Sequence, residues 1–129
     1  MMLNPFQKDS MVNTILLKYD GARTSNKFSI VITISNNITR TETDNLELSF
    51  YEIINKINYK ISLNGELIKV FKNLQNYLYK KFSPQIVLGI KVDIQNEVSF
   101  YKSFVIFENN TYNFEDTDLV SLEKKLINI

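Results

Sequence analysis

The sequence contains no histidine and no cysteine among its 129 residues. Histidine is the commonest general base and metal ligand in proteins, and cysteine supplies the thiolate of nucleophilic enzymes and of many metal centres. Their absence excludes Ser-His and Cys-His catalysis, disulfides, and zinc or iron–sulfur sites built on cysteine. We therefore expect a protein that is not an enzyme and has no cofactor. The lack of cysteine also favours an intracellular protein.

Glycine is almost as scarce, because Gly21, Gly65 and Gly89 are the only three. They lie too far apart for the glycine-rich loops that hold nucleotide phosphates. The net charge of +1 provides no overall field to attract nucleic acid or an anionic membrane. Nucleic acid is therefore an unfavoured partner.

No apolar run approaches the roughly 20 residues of a membrane span, and the N-terminus lacks the apolar stretch of a signal peptide. The basic residues are nearly all lysine, and asparagine and isoleucine are abundant, which is typical of an A/T-rich genome. We expect a protein of the cytoplasm of a bacterial host, or of a virion assembled there. Neither membrane contact nor secretion through a signal peptide is expected.

Alternating apolar residues predict a mainly antiparallel sheet made of two β-hairpins. Asn36 and Asn37 are the expected turn of the first hairpin, and residues 95–97 that of the second. The predicted strands are 14–19, 28–34, 38–43, 86–94 and 98–107, with a short strand at 59–63 and a short edge strand at 112–114.

Apolar residues at helical spacing predict two central helices and one C-terminal helix. The first is expected to begin at Asp44, which forms a capping box with Glu47. The second runs over 66–82. The third follows a cap at Asp116, Thr117 or Asp118. The predicted fold is α+β, with the sheet packed against these helices. Residues 1–10 are expected to form an N-terminal arm and residues 11–129 a single domain.

Aromatic side chains supply the first candidate site. The strand at 98–107 has apolar residues on both faces, which is more apolar surface than two helices and a small sheet obviously cover. Protein interfaces are enriched in tyrosine and phenylalanine. The alternative is that all of these residues belong to the core. The candidate interaction residues are Phe100, Tyr101, Phe104, Phe107, Tyr112 and Phe114.

A second candidate is the polar face of the long helix, where lysines could follow a phosphate backbone while tyrosine stacks on bases. An ordinary solvated helix face gives the same pattern. The candidate nucleic-acid residues are Lys69, Lys72, Asn76, Tyr79 and Lys80.

A third candidate is a group of carboxylates near the end of the last hairpin, which could hold Mg²⁺ or Ca²⁺ or act as an acid/base pair. Helix capping and solvation are the alternative reading. The candidate metal residues are Glu108, Glu115, Asp116 and Asp118.

These features favour a non-catalytic subunit that binds a protein partner or assembles with itself. Phage and mobile-element proteins of the connector or tail type are one such class. A small inhibitor or immunity-type protein that blocks its partner is the first alternative. A nucleotide or nucleic-acid binding module that uses the lysine-rich helix is the second.

Overall fold

The computed structural model describes residues 12–35, 37–56, 64–95 and 98–129. Six strands form one antiparallel sheet in the order β3-β2-β1-β4-β5-β6. With three helices, this confirms the predicted α+β class. The elements in chain order are β1 (Val12–Asp20), β2 (Phe28–Ile34), β3 (Asn37–Thr43), α1 (Leu46–Lys56), α2 (Asn64–Lys81), β4 (Val87–Gln95), β5 (Val98–Phe107), β6 (Asn110–Asp116) and α3 (Leu119–Ile127).

One face of the sheet forms the core, because alternate residues of every central strand point toward the helices. Leu17 shows this clearly: it pairs with Ile30 on one side and Ile90 on the other, and all three side chains are fully buried. The helices contribute a matching stripe from α2. That stripe consists of Leu67, Phe71, Leu74 and Leu78, all fully buried.

The ends of α1 and α3 are fixed by short polar side chains. Asp118 caps α3, accepting from the backbone N–H of Ser121 at 3.0 Å, so one of the three expected caps is the actual one. The expected cap of α1 is wrong. The side chain of Asn45, not Asp44, accepts from the N–H of Leu48 at 3.1 Å.

The carboxylate of Asp44 is turned away from α1 because it accepts from the backbone N–H of Lys27 at 3.2 Å. A sequence pattern cannot distinguish these two uses of an aspartate. The expected first turn also needs correction, since Asn37 lies in β3 and pairs with Ile34. Ser35 takes the left-handed conformation that the turn requires, with φ of 53°.

The chain folds as two topologically equivalent halves, although its sequence has no internal repeat. Each half is a three-stranded meander followed by a helix, β1-β2-β3-α1 and β4-β5-β6-α3, and the first strands of the two halves pair in the middle of the sheet. The edge strands β3 and β6 are seven residues each and follow the same pattern of exposure. Helix α2 has no counterpart.

The strand expected at 59–63 and the turn residues 96 and 97 lie outside the described residues. Among the helices that the structure describes, none is long and apolar enough to cross a membrane.

Candidate functional site: the open face of the sheet

The helices cover one face of the sheet, and no described element covers the other. We call this second surface the open face. Because side chains alternate along a strand, the residues before and after each open-face residue in the chain lie on the core face. One row of open-face residues crosses all six strands: Arg40, Val31, Leu16, Lys91, Lys102 and Glu115.

The part of the open face over β4, β5 and β6 carries Phe100, Phe104 and Ile106 of β5, with Lys102 between the first two. Phe100 and Ile106 remain 38% and 36% exposed there, which is unusual for such large apolar side chains on a strand. Phe104 lies between them in the sequence of β5 and on the same face. Single exposed apolar residues occur elsewhere, such as Ile38 and Leu48, whereas these three share one face of one strand.

The Phe104 ring packs against the sheet over a glycine of the neighbouring strand. Gly89 is its pairing partner in β4, and a Cβ at Gly89 would overlap the Cε1 and Cζ atoms of the Phe104 ring. The ring therefore fills the space that a side chain at Gly89 would occupy. This is the arrangement by which an aromatic residue compensates for a glycine in a strand.

Two adjoining depressions open beside these aromatic rings. One has a volume of about 380 Å³ and is lined in part by Asp93 and Phe100. The other, of about 500 Å³, is lined in part by Leu16 and Phe104. Lys102 and Glu115 line both, so they lie at the boundary between the two.

Charged side chains lie between and around these apolar residues. Lys91 and Lys102 are directly opposite one another on β4 and β5, an arrangement of like charges that is unfavourable in a sheet. Lys91 has Asp93 at 3.7 Å as a loose ion pair. Lys102 pairs in register with Glu115 but makes no ion pair or hydrogen bond with any residue that the structure describes. Its ammonium group is therefore available to a ligand.

The structure divides the six aromatic residues of the expected interaction site between the two faces of the sheet. Phe100 and Phe104 lie on the open face. The other four point to the helix side, where Tyr101 is buried and Phe107 packs on Phe82 with 5.2 Å between ring centroids. Burial raises the pKa of the Tyr101 phenol. The remaining two, Tyr112 and Phe114, lie on edge strand β6, exposed and half-buried respectively.

Sequence reasoning missed four residues of the open face as members of one site, because they are distant in sequence. The signal that could have found them is the alternation of β1 and β4, where every residue between two core positions must face the other way. These residues are Leu16, Lys91, Asp93 and Lys102.

The expected carboxylate site is not formed. Glu108 lies in the β5–β6 turn, at the opposite end of β6 from the other three residues. Asp118 is occupied as the cap of α3, and Asp116 pairs with Lys125 at 3.1 Å. The pKa of Asp116 is lowered, first by the backbone N–H of Asp118 and then by Lys125. Within the described ranges, no group of three or more acidic side chains is placed to hold a metal ion.

The lysine-rich face of α2 is exposed as expected, but it is not purely basic. Lys72 donates to Glu47 of α1 at 3.1 Å. Lys69 and Asn76 line a groove of about 280 Å³ together with that same glutamate. Tyr79 and Lys80 lie at the C-terminal half of the helix, exposed to solvent. A carboxylate inside the patch opposes the binding of a phosphate backbone.

No protein-family model matches the sequence, and searches of curated proteins and of solved structures found no similar protein.

Proposed function

We propose that this chain is a non-catalytic protein-binding subunit that recognises its partner through the open face over β4, β5 and β6. The observation that carries the proposal is the exposure of Phe100 and Ile106 on a sheet face that no described element covers. The absence of histidine and cysteine from the sequence supports a role in binding and not in catalysis.

The arrangement of this surface resembles the usual anatomy of a protein interface. Such interfaces have an apolar centre with aromatic residues and a polar rim that stays accessible to water. Here the Phe100 and Phe104 rings supply the aromatic residues. The polar groups beside and between them are Lys91, Asp93, Lys102 and Glu115. The two depressions give room for side chains of a partner, and their aromatic walls are the residue type in which binding energy usually concentrates.

The charges indicate the chemistry of the partner. Lys102 has no acidic partner in contact among the described residues and stands beside a second lysine, so a carboxylate from another protein would relieve an unfavourable pair of like charges. We therefore expect a partner that places apolar side chains over Phe100 and Phe104 and an acidic residue against Lys102.

Two kinds of protein would use such a surface: an assembly subunit, of the phage connector or tail type, and a small inhibitor that blocks its partner. Their stoichiometry separates them. An inhibitor forms a closed one-to-one complex, whereas an assembly subunit is incorporated in several copies. Light scattering on the purified complex measures this number directly.

The test of the proposal compares three proteins: the natural chain, the double variant Phe100→Ser/Ile106→Ser, and the control Tyr79→Ser. Tyr79 is 44% exposed on helix α2, away from the open face. A partner recovered from a lysate of the source organism is purified, and its affinity for each protein is measured by calorimetry. We expect the double variant to bind at least about 30-fold more weakly, since interface aromatics commonly contribute about 2 kcal/mol or more. The control should bind normally.

Circular dichroism and urea unfolding of all three proteins establish that a loss of binding is not a loss of folding. A partner bound equally well by the double variant would contradict the proposal. Loss of binding in Tyr79→Ser alone, together with binding of oligonucleotides, would favour the lysine-rich helix instead.

A further inference from the structure

The outer edge of β3 is regular, and no element that the structure describes covers it. β3 pairs with β2 without any shift of register, from the pair of Ile34 with Asn37 to the pair of Phe28 with Thr43. It contains no proline. Its residues are exposed apart from Thr41 and Thr43, which are half-buried. Natural proteins usually protect an edge strand with a bulge, a proline, an inward-pointing charge or a covering element, because a free edge is a template for pairing.

The pairing pattern fixes which backbone groups of β3 point away from the sheet. Ile34 and Asn37 close a two-residue hairpin, so they are a hydrogen-bonded pair, and such pairs recur at every second residue. The N–H and C=O groups of the intervening residues have no partner in β2. These outward-facing groups belong to Ile38, Arg40 and Glu42.

The equivalent edge of the second half is capped by a lysine at one end. Lys125 of α3 donates to the backbone carbonyl of Glu115 in β6 at 2.8 Å and also pairs with Asp116. By the same alternation, counted from the Phe107–Asn110 pair, that carbonyl is one of the outward-facing groups of β6. A lysine on the edge is a common device against edge-to-edge pairing. The two halves therefore differ at the edges that their topology makes equivalent.

We propose that β3 pairs with β3 of a second copy of this chain, antiparallel and centred on Thr41, to give a two-fold dimer with one continuous sheet. This register places Arg40 of each copy opposite Glu42 of the other, in hydrogen-bonded pairs that use the outward-facing backbone groups. Opposite charges at directly paired positions stabilise a sheet, and like charges destabilise it.

The neighbouring registers are excluded by charge or by the face on which the side chains would lie. A shift of two residues in one direction would place Arg40 opposite Arg40 of the second copy. A shift of two residues in the other direction would place Glu42 opposite Glu42 of the second copy. A shift of one residue would put open-face side chains on the helix side. Among these registers, only the one centred on Thr41 is self-complementary.

Both charged residues are available for this contact. Arg40 is exposed and makes no hydrogen bond or ion pair with the described residues. Glu42 accepts from Arg23 at 2.7 and 3.3 Å, and this bond holds the pKa of the Glu42 carboxyl below its usual value, so it remains charged. The two oxygens of a carboxylate have about four acceptor sites, which leaves room for the guanidinium of a second copy.

Helix α1 would extend the contact beyond the strands. A groove of about 260 Å³ lies between it and β3, lined by Thr41, Ser49, Glu52, Ile53 and Lys56. The two-fold axis through Thr41 would bring the two copies of α1 to either side of the axis in antiparallel orientation. Each copy presents both an acidic and a basic residue, Glu52 and Lys56, to that groove, so this border is also self-complementary in charge.

This dimer uses a different surface from the one proposed for partner binding, so either can fail without the other. Pairing of one edge strand buries little surface, and interfaces of small area are usually weak. We therefore expect a dissociation constant on the order of tens of micromolar and a monomer–dimer equilibrium that changes with concentration.

The test is a charge exchange, followed by sedimentation equilibrium from about 1 µM to about 1 mM. Arg40→Glu and Glu42→Arg each place like charges opposite one another twice across the dimer. Each variant alone should dimerise at least about tenfold more weakly than the natural chain. An equimolar mixture of the two variants restores both opposite-charge pairs and should dimerise about as well as the natural chain.

The matched control is Lys69→Glu, which makes the same change of net charge as Arg40→Glu at an exposed position of α2. It should not affect dimerisation. A natural chain that stays monomeric near 1 mM would overturn the proposal. So would single variants that associate like the natural chain, or a mixture that associates no better than its components. Phe100→Ser/Ile106→Ser should still dimerise, which separates this result from the test of partner binding.

Discussion

Replacing Gly21 by alanine should destabilise the fold strongly, for a steric reason that involves only backbone. Gly21 directly follows the central strand β1 and donates its N–H to the carbonyl of Ile86 at 2.9 Å. A Cβ at this position would overlap the carbonyl oxygen of Pro84 and stand 3.0 Å from the Cα of Gln85. None of these atoms can move without shifting the segment that leads into β4.

The magnitude follows from what the shift disturbs. Forcing one extra carbon into a packed site typically costs 1–3 kcal/mol. The Pro84 carbonyl also accepts a hydrogen bond from the Tyr19 hydroxyl at 3.1 Å, and losing such a bond costs about 1 kcal/mol. We expect Gly21→Ala to lower the free energy of unfolding by about 3 kcal/mol. Tyr19→Phe removes this hydrogen bond without the steric overlap.

Gly89→Ala is the informative comparison, because its steric conflict is with a side chain. The Phe104 ring that occupies the space lies on the open face and can rotate outward. Part of that ring would then become exposed, which costs about 1 kcal/mol or less by loss of apolar burial. This variant should therefore remain folded but lose affinity for a partner that binds the open face.

Urea unfolding followed by circular dichroism distinguishes the two glycines. The midpoint for Gly21→Ala should fall well below that for Gly89→Ala, with the slope of the transition unchanged in both. Equal stabilities, or a Gly21→Ala cost below about 1 kcal/mol, would refute the argument that backbone overlap dominates.

Two further predictions concern polar contacts of the second half. Ser103 is only 3% exposed, and its hydroxyl donates to the carbonyl of Gly89 at 2.8 Å. Ser103→Ala should therefore lower the free energy of unfolding in urea by about 0.5–1.5 kcal/mol. An unchanged free energy of unfolding would mean that the bond is not formed in solution. Lys125→Met removes the ion pair of Asp116, whose pKa is lowered in the folded state. A lowered carboxyl pKa stabilises the fold above the unfolded pKa, and this is lost as pH falls through the folded pKa. The difference in unfolding free energy between the natural chain and Lys125→Met should therefore decrease below about pH 4, near the unfolded pKa of an aspartate. The part of the difference that comes from the hydrogen bond to the Glu115 carbonyl should remain. A difference that does not change with pH would contradict the ion pair.

The secondary structure was largely predictable because it depends on local periodicity. The alternation of Phe28, Ile30, Ile32 and Ile34 gives β2 within its observed bounds, and the apolar stripe of α2 predicts a helix within two residues at its start. Errors arose where one side chain had two possible local roles. Asp44 could cap a helix or bind the backbone of a neighbouring strand, and only the position of Lys27 decides between them.

The candidate site was predicted less well, because its residues come together only across strands. The aromatic content of β5 indicated an interaction surface, but composition could not assign each ring to a face of the sheet. Tyr101 and Phe107 proved to face the helix side, while Leu16, from a strand about 85 residues earlier, joined Phe104. That adjacency depends on the pairing of β1 with β4, which has no local signal.

The amino-acid sequence alone showed which chemical groups this protein lacks, and it predicted most of the observed strands and helices. The absence of histidine and cysteine is independent of folding, and the alternation of apolar residues acts over only a few positions. The three-dimensional fold was needed to show that β1 and β4 meet in the middle of one sheet and that no described element covers one of its faces. It also showed that Lys125 binds the outer edge of β6, whereas no described residue makes such a contact with β3. These outcomes depend on contacts between residues far apart in the chain.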